Sequence, residues 1–274
     1  MQEIQIIDIR KLTETIRDLY GFDFTNYAMS SFKRRVHRVL ELYRLGSVDQ
    51  LIRKISENQE FFQEFISEIT VNVTEMFRDP SFWRELRENV IPNILLNHNK
   101  ISIWHAGCSS GEEVYSMSIL LQEMGILDNA RIVATDIDDV ILKNAEAAVY
   151  SVKNMELNEK NYIRFRGTGN FHDYYEVKNG KAYMDKSMVK DVSFRNHDLV
   201  NGVVFSKFDL VLCRNVMIYF NQTLQNQVLI SLHEGIFKYG YLAIGSKESL
   251  IWCDIANKFL VVNNEEKIHK KIKE

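Results

Sequence analysis

The segment Ile101-Ser-Ile-Trp-His-Ala-Gly-Cys-Ser-Ser-Gly111-Glu-Glu113, continuing into Val114-Tyr-Ser-Met-Ser-Ile-Leu-Leu121, constrains the fold more than any other part of the chain. It reads as a β-branched and aromatic strand, a tight loop of small residues and an amphipathic helix, the order of parts that opens a nucleotide-binding α/β unit. Small residues in such a loop let backbone and ligand approach closely. Glu112 and Glu113 set the kind of ligand. A carboxylate pair at a helix start competes for the positive dipole end that a pyrophosphate would use, so the loop favours a nucleoside with hydroxyls, an amino group and positive charge. Ser110-Gly-Glu-Glu113 also matches a capping box, which leaves Glu113 a second reading as a partner of its own backbone.

The rest of the chain supplies the context such a unit needs. Strand candidates Ile101–Trp104, Arg131–Thr135, Phe208–Cys213 and Tyr241–Ile244 alternate with helices at 110–124, 138–148 and 222–237, which predicts a mainly parallel, Rossmann-like sheet covered on both faces. The run from Phe259 to Lys271 reads as two antiparallel edge strands. Residues 173–185 place Asn179-Gly180 between two strand-like runs, a hairpin signal. With Arg166-Gly167-Thr168-Gly169 read as a flexible turn upstream, this predicts a small antiparallel β subdomain inserted over 157–192. Its edge is either a stabilising flap or a place where a peptide pairs.

Residues 1–70 lack strand alternation and form a helical domain, with 71–274 as the α/β domain and 71–90 as the segment between them. Within 32–44, Phe32, Val36, Val39, Leu40 and Tyr43 take one helix face, while Lys33, Arg34, Arg35 and Arg38 form a basic ridge. An ordinary solvated face is the alternative. Asp79-Pro80 is an N-cap and first-turn signature, putting Arg78 just ahead of a helix.

Composition narrows the function classes. With 37 acidic and 34 basic residues, no net field favours nucleic acid or a membrane surface, and no apolar run approaches the roughly 20 residues of a spanning helix. Cys108, Cys213 and Cys253 are too far apart for a metal or redox pair, so reduced thiols and a cytoplasmic location are expected. There is no Gly-Lys-Ser/Thr phosphate loop, no histidine pair at metal spacing and no Gly-x-Ser-x-Gly elbow. No metal is expected.

Ligands of open α/β sheets bind beyond the carboxyl ends of the strands. The first strand ends at Gly107, and the second ends in Ala134-Thr-Asp136-Ile-Asp138. Asp136 suits a ribose, whose two vicinal hydroxyls one carboxylate can accept, although capping the next helix is its alternative; for Asp138 capping is preferred. Arg214, Asn215 and Tyr219 follow a buried strand at the mouth of the same cleft. Carboxylates attract a sulfonium and an ammonium, and an arginine such as Arg78 suits an amino-acid carboxylate. S-adenosylmethionine carries all three groups.

Four segments, Asn72-Val-Thr-Glu-Met-Phe-Arg78, Ile103-Trp-His-Ala-Gly-Cys-Ser-Ser-Gly-Glu-Glu113, Ala134-Thr-Asp-Ile-Asp138 and Cys213-Arg-Asn-Val-Met-Ile-Tyr-Phe220, closely resemble the chemotaxis receptor glutamate O-methyltransferases of the CheR family, in order and across nearly the whole chain. The resemblance implies an all-α N-terminal domain joined to a methyltransferase domain with a small β subdomain, acting in chemotaxis signal transduction. By motif, Asn72, Thr74, Arg78, Gly107, Glu113, Asp136, Asp198, Leu199, Arg214 and Asn215 would bind S-adenosylmethionine and its product S-adenosylhomocysteine. Arg214, Asn215 and Tyr219 would be the catalytic positioners. The resemblance gives Lys33, Arg34, Arg35 and Arg38 a role against the receptors' cytoplasmic methylation helices. It gives Arg166, Gly167 and Gly169 a role in holding a receptor C-terminal peptide, although the hairpin here is longer than expected for tethering members. A monomer that neither binds nucleic acid nor inserts into a membrane is expected. Departures from the family pattern are Val114 for proline, His105 for serine and Asp198 for asparagine; a carboxylate at 198 cannot donate as an amide does.

Overall fold

The computed structural model describes residues 4–70, 73–96 and 98–274; Asn72 lies outside the described residues. Four helices come first: α1 (Ile6–Tyr20), α2 (Met29–Leu42), α3 (Val48–Glu57) and α4 (Gln59–Ile69). Their apolar residues recur every three or four positions, as Ile9, Leu12 and Ile16 do in α1, and meet in one core with Phe32, Val36, Leu51 and Phe62. Ser47 Oγ and Asn58 Oδ1 accept the free N–H groups that start α3 and α4, and left-handed Gly21 ends α1.

The remaining elements are α5 (Pro80–Glu85), α6 (Ile91–Leu95), β1 (Ile101–Ala106), α7 (Glu112–Glu123), β2 (Ala130–Asp136), α8 (Asp139–Ala147), β3 (Val149–Ser151), α9 (Val152–Phe165), β4 (Tyr175–Lys178), β5 (Lys181–Met184), β6 (Ser193–Asn196), β7 (Phe208–Cys213), α10 (Gln222–Glu234), β8 (Ile236–Ile244), β9 (Phe259–Asn263) and β10 (Ile268–Lys271). Seven strands form the main sheet in the order β6-β2-β1-β7-β8-β10-β9. The first five run parallel, and β10 and β9 close the sheet antiparallel. Side chains alternate across each strand, so Ile103, Ile132 and Leu210 pack beneath α7, while Trp104, Val133 and Val211 pack against Leu224, Val228 and Leu232 of α10. Chain order reverses between β1 and β7, which opens the crevice where ligands of such sheets bind.

Two expectations are revised. Of the C-terminal strands only β9 is an edge, because β10 lies between β8 and β9. The small sheet has the order β3-β5-β4 and takes its third strand from Val149–Ser151, ahead of the expected insertion at 157. That strand is only three residues long, too short for alternation to reveal. The β4–β5 turn does contain Asn179 and Gly180, both left-handed at φ 51° and 72°.

The helical layer sits on the loop after β7. Ala28 N–H donates to the Tyr219 carbonyl at 2.8 Å, Asn221 N–H donates to the Asn26 carbonyl at 2.9 Å, and Tyr27 meets the Phe220 ring edge-on. Among the described residues no helix is long and apolar enough to cross a membrane.

Candidate functional site

A cleft between the helical layer and the carboxyl ends of β1, β2, β6 and β7 encloses about 1160 Å³ with its open mouth included. Its floor is the loop after β1. The Gly107 and Cys108 N–H groups both donate to the Thr135 carbonyl at 2.8 Å, which turns the chain sharply at the end of the strand. Gly107 adopts φ 83°, and a Cβ there would lie 2.5 Å from Val216 Cγ2, so the position requires glycine on both counts. Ser109 is left-handed at φ 50° and donates its N–H to Asp136 Oδ2 at 2.8 Å.

The capping-box alternative for Glu113 fails. The N-cap of α7 is Gly111, which has no side chain to cap with, and Ser110 Oγ donates to Glu112 Oε2 at 2.6 Å. Glu113 reaches across to β1 and β7, accepting from His105 Nδ1 at 2.8 Å and from Arg214 Nη1 at 3.2 Å. Burial pushes its carboxyl up, but these two partners outweigh burial and hold it below the usual range. Glu112 is more than helix-start charge: it is 4% exposed, and burial raises its pKa against the Ser110 hydrogen bond.

Arg214 joins both walls. Its side chain is 3% exposed, with Nη2 2.7 Å from Asp79 Oδ2, Nη1 on Glu113 and the guanidinium 4.0 Å above the Phe82 ring. Among the described residues its buried Nε has no hydrogen-bond partner. Asp79 therefore does not cap α5 as its sequence signature suggested. Left-handed at φ 56°, it makes no side-chain cap bond and gives its carboxylate to Arg214. A buried guanidinium needs a charged partner more than a helix end needs a cap.

Asp136 ends β2 inside the cleft at 9% exposure and also accepts the Asp138 N–H at 3.1 Å. Asp138 is the helix cap, accepting from Val140 and Ile141. Burial pushes the Asp136 carboxyl up to about 6 against its backbone hydrogen bonds. The sign has two consequences. The free protein takes up this proton at a higher pH than the unfolded chain does, so its contribution to stability is present below the ordinary value and lost as pH rises through about 6. A ligand whose hydroxyls donate to the carboxylate binds the anion, so its affinity should fall about tenfold per pH unit below about 6. Calorimetric titration of S-adenosylhomocysteine between pH 5 and 8 checks this; a flat profile overturns it.

Asp198 and Leu199 line the same cleft after β6. Asp198 accepts the Val200 N–H at 2.8 Å and the Asn201 amide at 3.0 Å, so its carboxylate shapes its own loop. Asn215 is left-handed at φ 62°, and its N–H donates to Glu248 Oε2 at 3.1 Å. The far wall carries Thr74, Arg78 and Tyr219. The Arg35 guanidinium lies 5.1 Å from the Tyr219 ring centre and donates to the Ile69 carbonyl at 2.9 Å. Burial raises the Tyr219 hydroxyl pKa, with the positive charges of Arg35 and Arg78 opposing it.

The basic ridge thus divides. Arg35 lines the cleft, Arg34 and Arg38 are exposed with Arg38 3.5 Å from Glu68, and Lys33 is half-buried. Arg166, Gly167 and Gly169 lie outside the cleft, and their loop is held rather than free. Arg166 ends α9 in a left-handed conformation, the Thr168 and Gly169 N–H groups donate to the Glu123 carboxylate, and Tyr162 fills the space where a Gly167 side chain would go.

Sequence reasoning missed several residues of this site. His105, in the sequence only a departure from the family pattern, sits at the buried end of β1 against Glu113. Tyr27 lines the cleft from the helical layer. Glu248, 6% exposed, accepts the Gly245, Asn215 and Ile218 N–H groups and so fixes the loop after β7. Nothing in the local sequence marks it, because the two partners that tie it to the loop after β7 are 30 and 33 residues away.

Chemically, the cleft offers carboxylates at the strand ends, glycine-permitted close approach and two guanidiniums on the far wall. This fits a cationic nucleoside bearing an amino-acid carboxylate, and the acids disfavour phosphate. Comparison with known proteins agrees. The family model "CheR methyltransferase, SAM binding domain" matches residues 72–268, and "CheR methyltransferase, all-alpha domain" matches 7–70. The Pseudomonas putida protein named Cher3 is 39% identical over 265 residues, 97% of each chain. Chemotaxis protein methyltransferases of Listeria innocua and Vibrio anguillarum are 31% and 30% identical, covering 89% and 88% of this chain and 90% and 88% of theirs. With an all-helical layer, a methyltransferase sheet and both family models matched in order, the chain belongs to the CheR family of S-adenosylmethionine-dependent methyltransferases.

Proposed function

We propose that S-adenosylmethionine lies in this cleft and that the protein moves its methyl group to glutamate side chains in the cytoplasmic helices of chemotaxis receptors, forming methyl esters. In this reading Asp136 accepts the ribose hydroxyls, Glu113 faces the ammonium, Arg78 and Thr74 take the amino-acid end, and Asp198 and Leu199 border the base. Gly107 lets the ligand lie against the backbone. The bound cofactor supplies an electrophilic methyl on a sulfonium.

The residues need supply no proton transfer. A glutamate, with a reference pKa of about 4.3, arrives as an anion and attacks directly, so positioning carries the catalysis. Anion and sulfonium lose their charges together, which a partly dry cleft favours. The observation that carries the glutamate reading is Arg35 beside Tyr219: a guanidinium from the helical layer lines the cleft wall where an anionic side chain would enter. Exposed Arg34 and Arg38 extend that positive charge along α2 toward an acidic helix. Arg214, its terminal nitrogens on Glu113 and Asp79, acts through those two carboxylates, and Asn215 shapes the wall beside them.

Labelled methyl transfer to a purified receptor cytoplasmic fragment tests the reading; base-labile label supports a glutamate ester, and base-stable label or none overturns it. Running the assay with and without the receptor's C-terminal tail tests peptide docking on the small sheet. The exposed outer residues Glu176, Val177 and Lys178 of β4 offer an edge for pairing, while the 166–169 loop is already occupied by Glu123. Tyr219→Phe should lower turnover about tenfold or more while leaving cofactor affinity within about twofold, as expected for a group that orders the acceptor. An unchanged turnover removes Tyr219 from the mechanism.

A further inference from the structure

We infer that Asn158 and Asn161 of α9 are positioning residues for cofactor binding: they grip the backbone N–H and carbonyl of Met76 and so fix the irregular segment that presents Thr74 and Arg78 to the cleft. The Met76 N–H donates to Asn158 Oδ1 at 3.0 Å, and Asn161 Nδ2 donates to the Met76 carbonyl at 3.1 Å. Three residues apart on a helix, the two amides share one face. Both are buried, at 1% and 3% exposure. Buried amides without partners are costly, and here Asn158 accepts from the N–H and Asn161 donates to the carbonyl of the same residue, in the two peptide units that flank the Met76 Cα.

The chain they hold has little of its own to hold it. Residues 73–79 form no helix or strand, and Phe77 and Asp79 are left-handed at φ 51° and 56°, a conformation that persists in such residues only when the surroundings impose it. Those surroundings are identifiable. The next N–H, of Phe77, donates to Ser116 Oγ of α7 at 2.8 Å, and the Phe77 ring stacks on Phe165 of α9 at 4.8 Å between centroids. Thr74 and Arg78 flank Met76 by two residues on either side, so the grip on Met76 sets where both side chains emerge.

α9 also belongs to the small-sheet unit, since it follows β3 directly and leads through the 166–169 loop to β4. The small sheet is thereby a structural part of the cofactor site as well as an appendage to the domain. The inference rests on the reading of Thr74 and Arg78 as cofactor contacts, and the test separates the two.

In the full chain, Asn161→Ala and Asn158→Ala should each weaken S-adenosylhomocysteine binding about tenfold by calorimetry, the size expected for losing a buried hydrogen bond. Turnover at saturating cofactor should stay within about twofold. The aspartate variants should part company: Asn158→Asp keeps an acceptor for the Met76 N–H and binds nearly as the parent does, whereas Asn161→Asp turns a donor into an acceptor facing a carbonyl and binds at least as weakly as Asn161→Ala. Amide exchange over 74–79 of the free Asn161→Ala protein should quicken while β1 and β7 stay protected, which separates a local effect from failed folding. Parent-like binding by Asn161→Ala, equal losses in the two aspartate variants, or faster exchange throughout the sheet would overturn the inference. Arg78→Ala serves as the control. If it binds normally, the reading of Arg78 fails; if it binds weakly while Asn161→Ala binds normally, the positioning role alone fails.

Discussion

Arg214→Met should destabilise the protein by roughly 3–5 kcal/mol, because it removes the cation from two carboxylates that are turned toward it. Glu113 would keep only His105 and Asp79 would lose this cation, their side chains being 17% and 35% exposed. In a chain of this length that loss lowers the thermal midpoint by on the order of 10 °C. Cofactor affinity should fall with it, since Glu113 loses a partner that orients it and Asp79 no longer ties the 73–79 segment to β7. Combining Arg214→Met with Glu113→Gln and Asp79→Asn removes the orphaned charges, so much of the midpoint should return while affinity stays low. A midpoint within a degree or so of the parent for Arg214→Met alone would mean that solvent or neighbouring groups already satisfy these acids.

Asp136→Ala should weaken S-adenosylhomocysteine binding by about 100-fold or more at pH 7.5. Two hydroxyls donating to one carboxylate make two charge-assisted hydrogen bonds, each worth about 1.5–3 kcal/mol when the acceptor is ionised and shielded from water. The variant also frees the Ser109 and Asp138 N–H groups, which loosens the loop after β1. Its remaining affinity should lose the dependence on pH below about 6, because the titrating group is gone. A loss under about fivefold at pH 7.5 would remove Asp136 from the ribose site and return it to a loop-organising role.

The four segments read from the sequence converge on one cleft, and for three of them the reason is topological. β1, β2 and β7 are adjacent in a parallel sheet, so the residues that follow each strand emerge at one end. Gly107, Asp136, Asn215 and Tyr219 needed only their positions at strand ends to be identified as neighbours, whereas Asp198 followed from the family resemblance. Arg35 is different. Helical periodicity separated basic from apolar residues in α2, but the angle at which that helix lies on the sheet decides which basic residue enters the cleft. The 166–169 loop is another such case: a Gly-x-Gly run suggests freedom, yet Glu123 and Tyr162 immobilise it from elsewhere in the chain.

Local chemistry in the sequence determined the parts: helices from three- and four-residue spacing, buried parallel strands from apolar runs, the Asn179-Gly180 turn, the Asp138 cap and a loop that excludes phosphate. Those features depend on interactions within a few residues or on one strand's position in a sheet, and a linear reading reaches them. Tertiary structure alone decided how the charges pair. Glu113 and Asp79 each had a local role on offer, as a capping box and an N-cap, and each forgoes it for Arg214, 101 and 135 residues away. A buried guanidinium without acids is far costlier than an uncapped helix end, so the long-range partner wins wherever the fold brings it within reach.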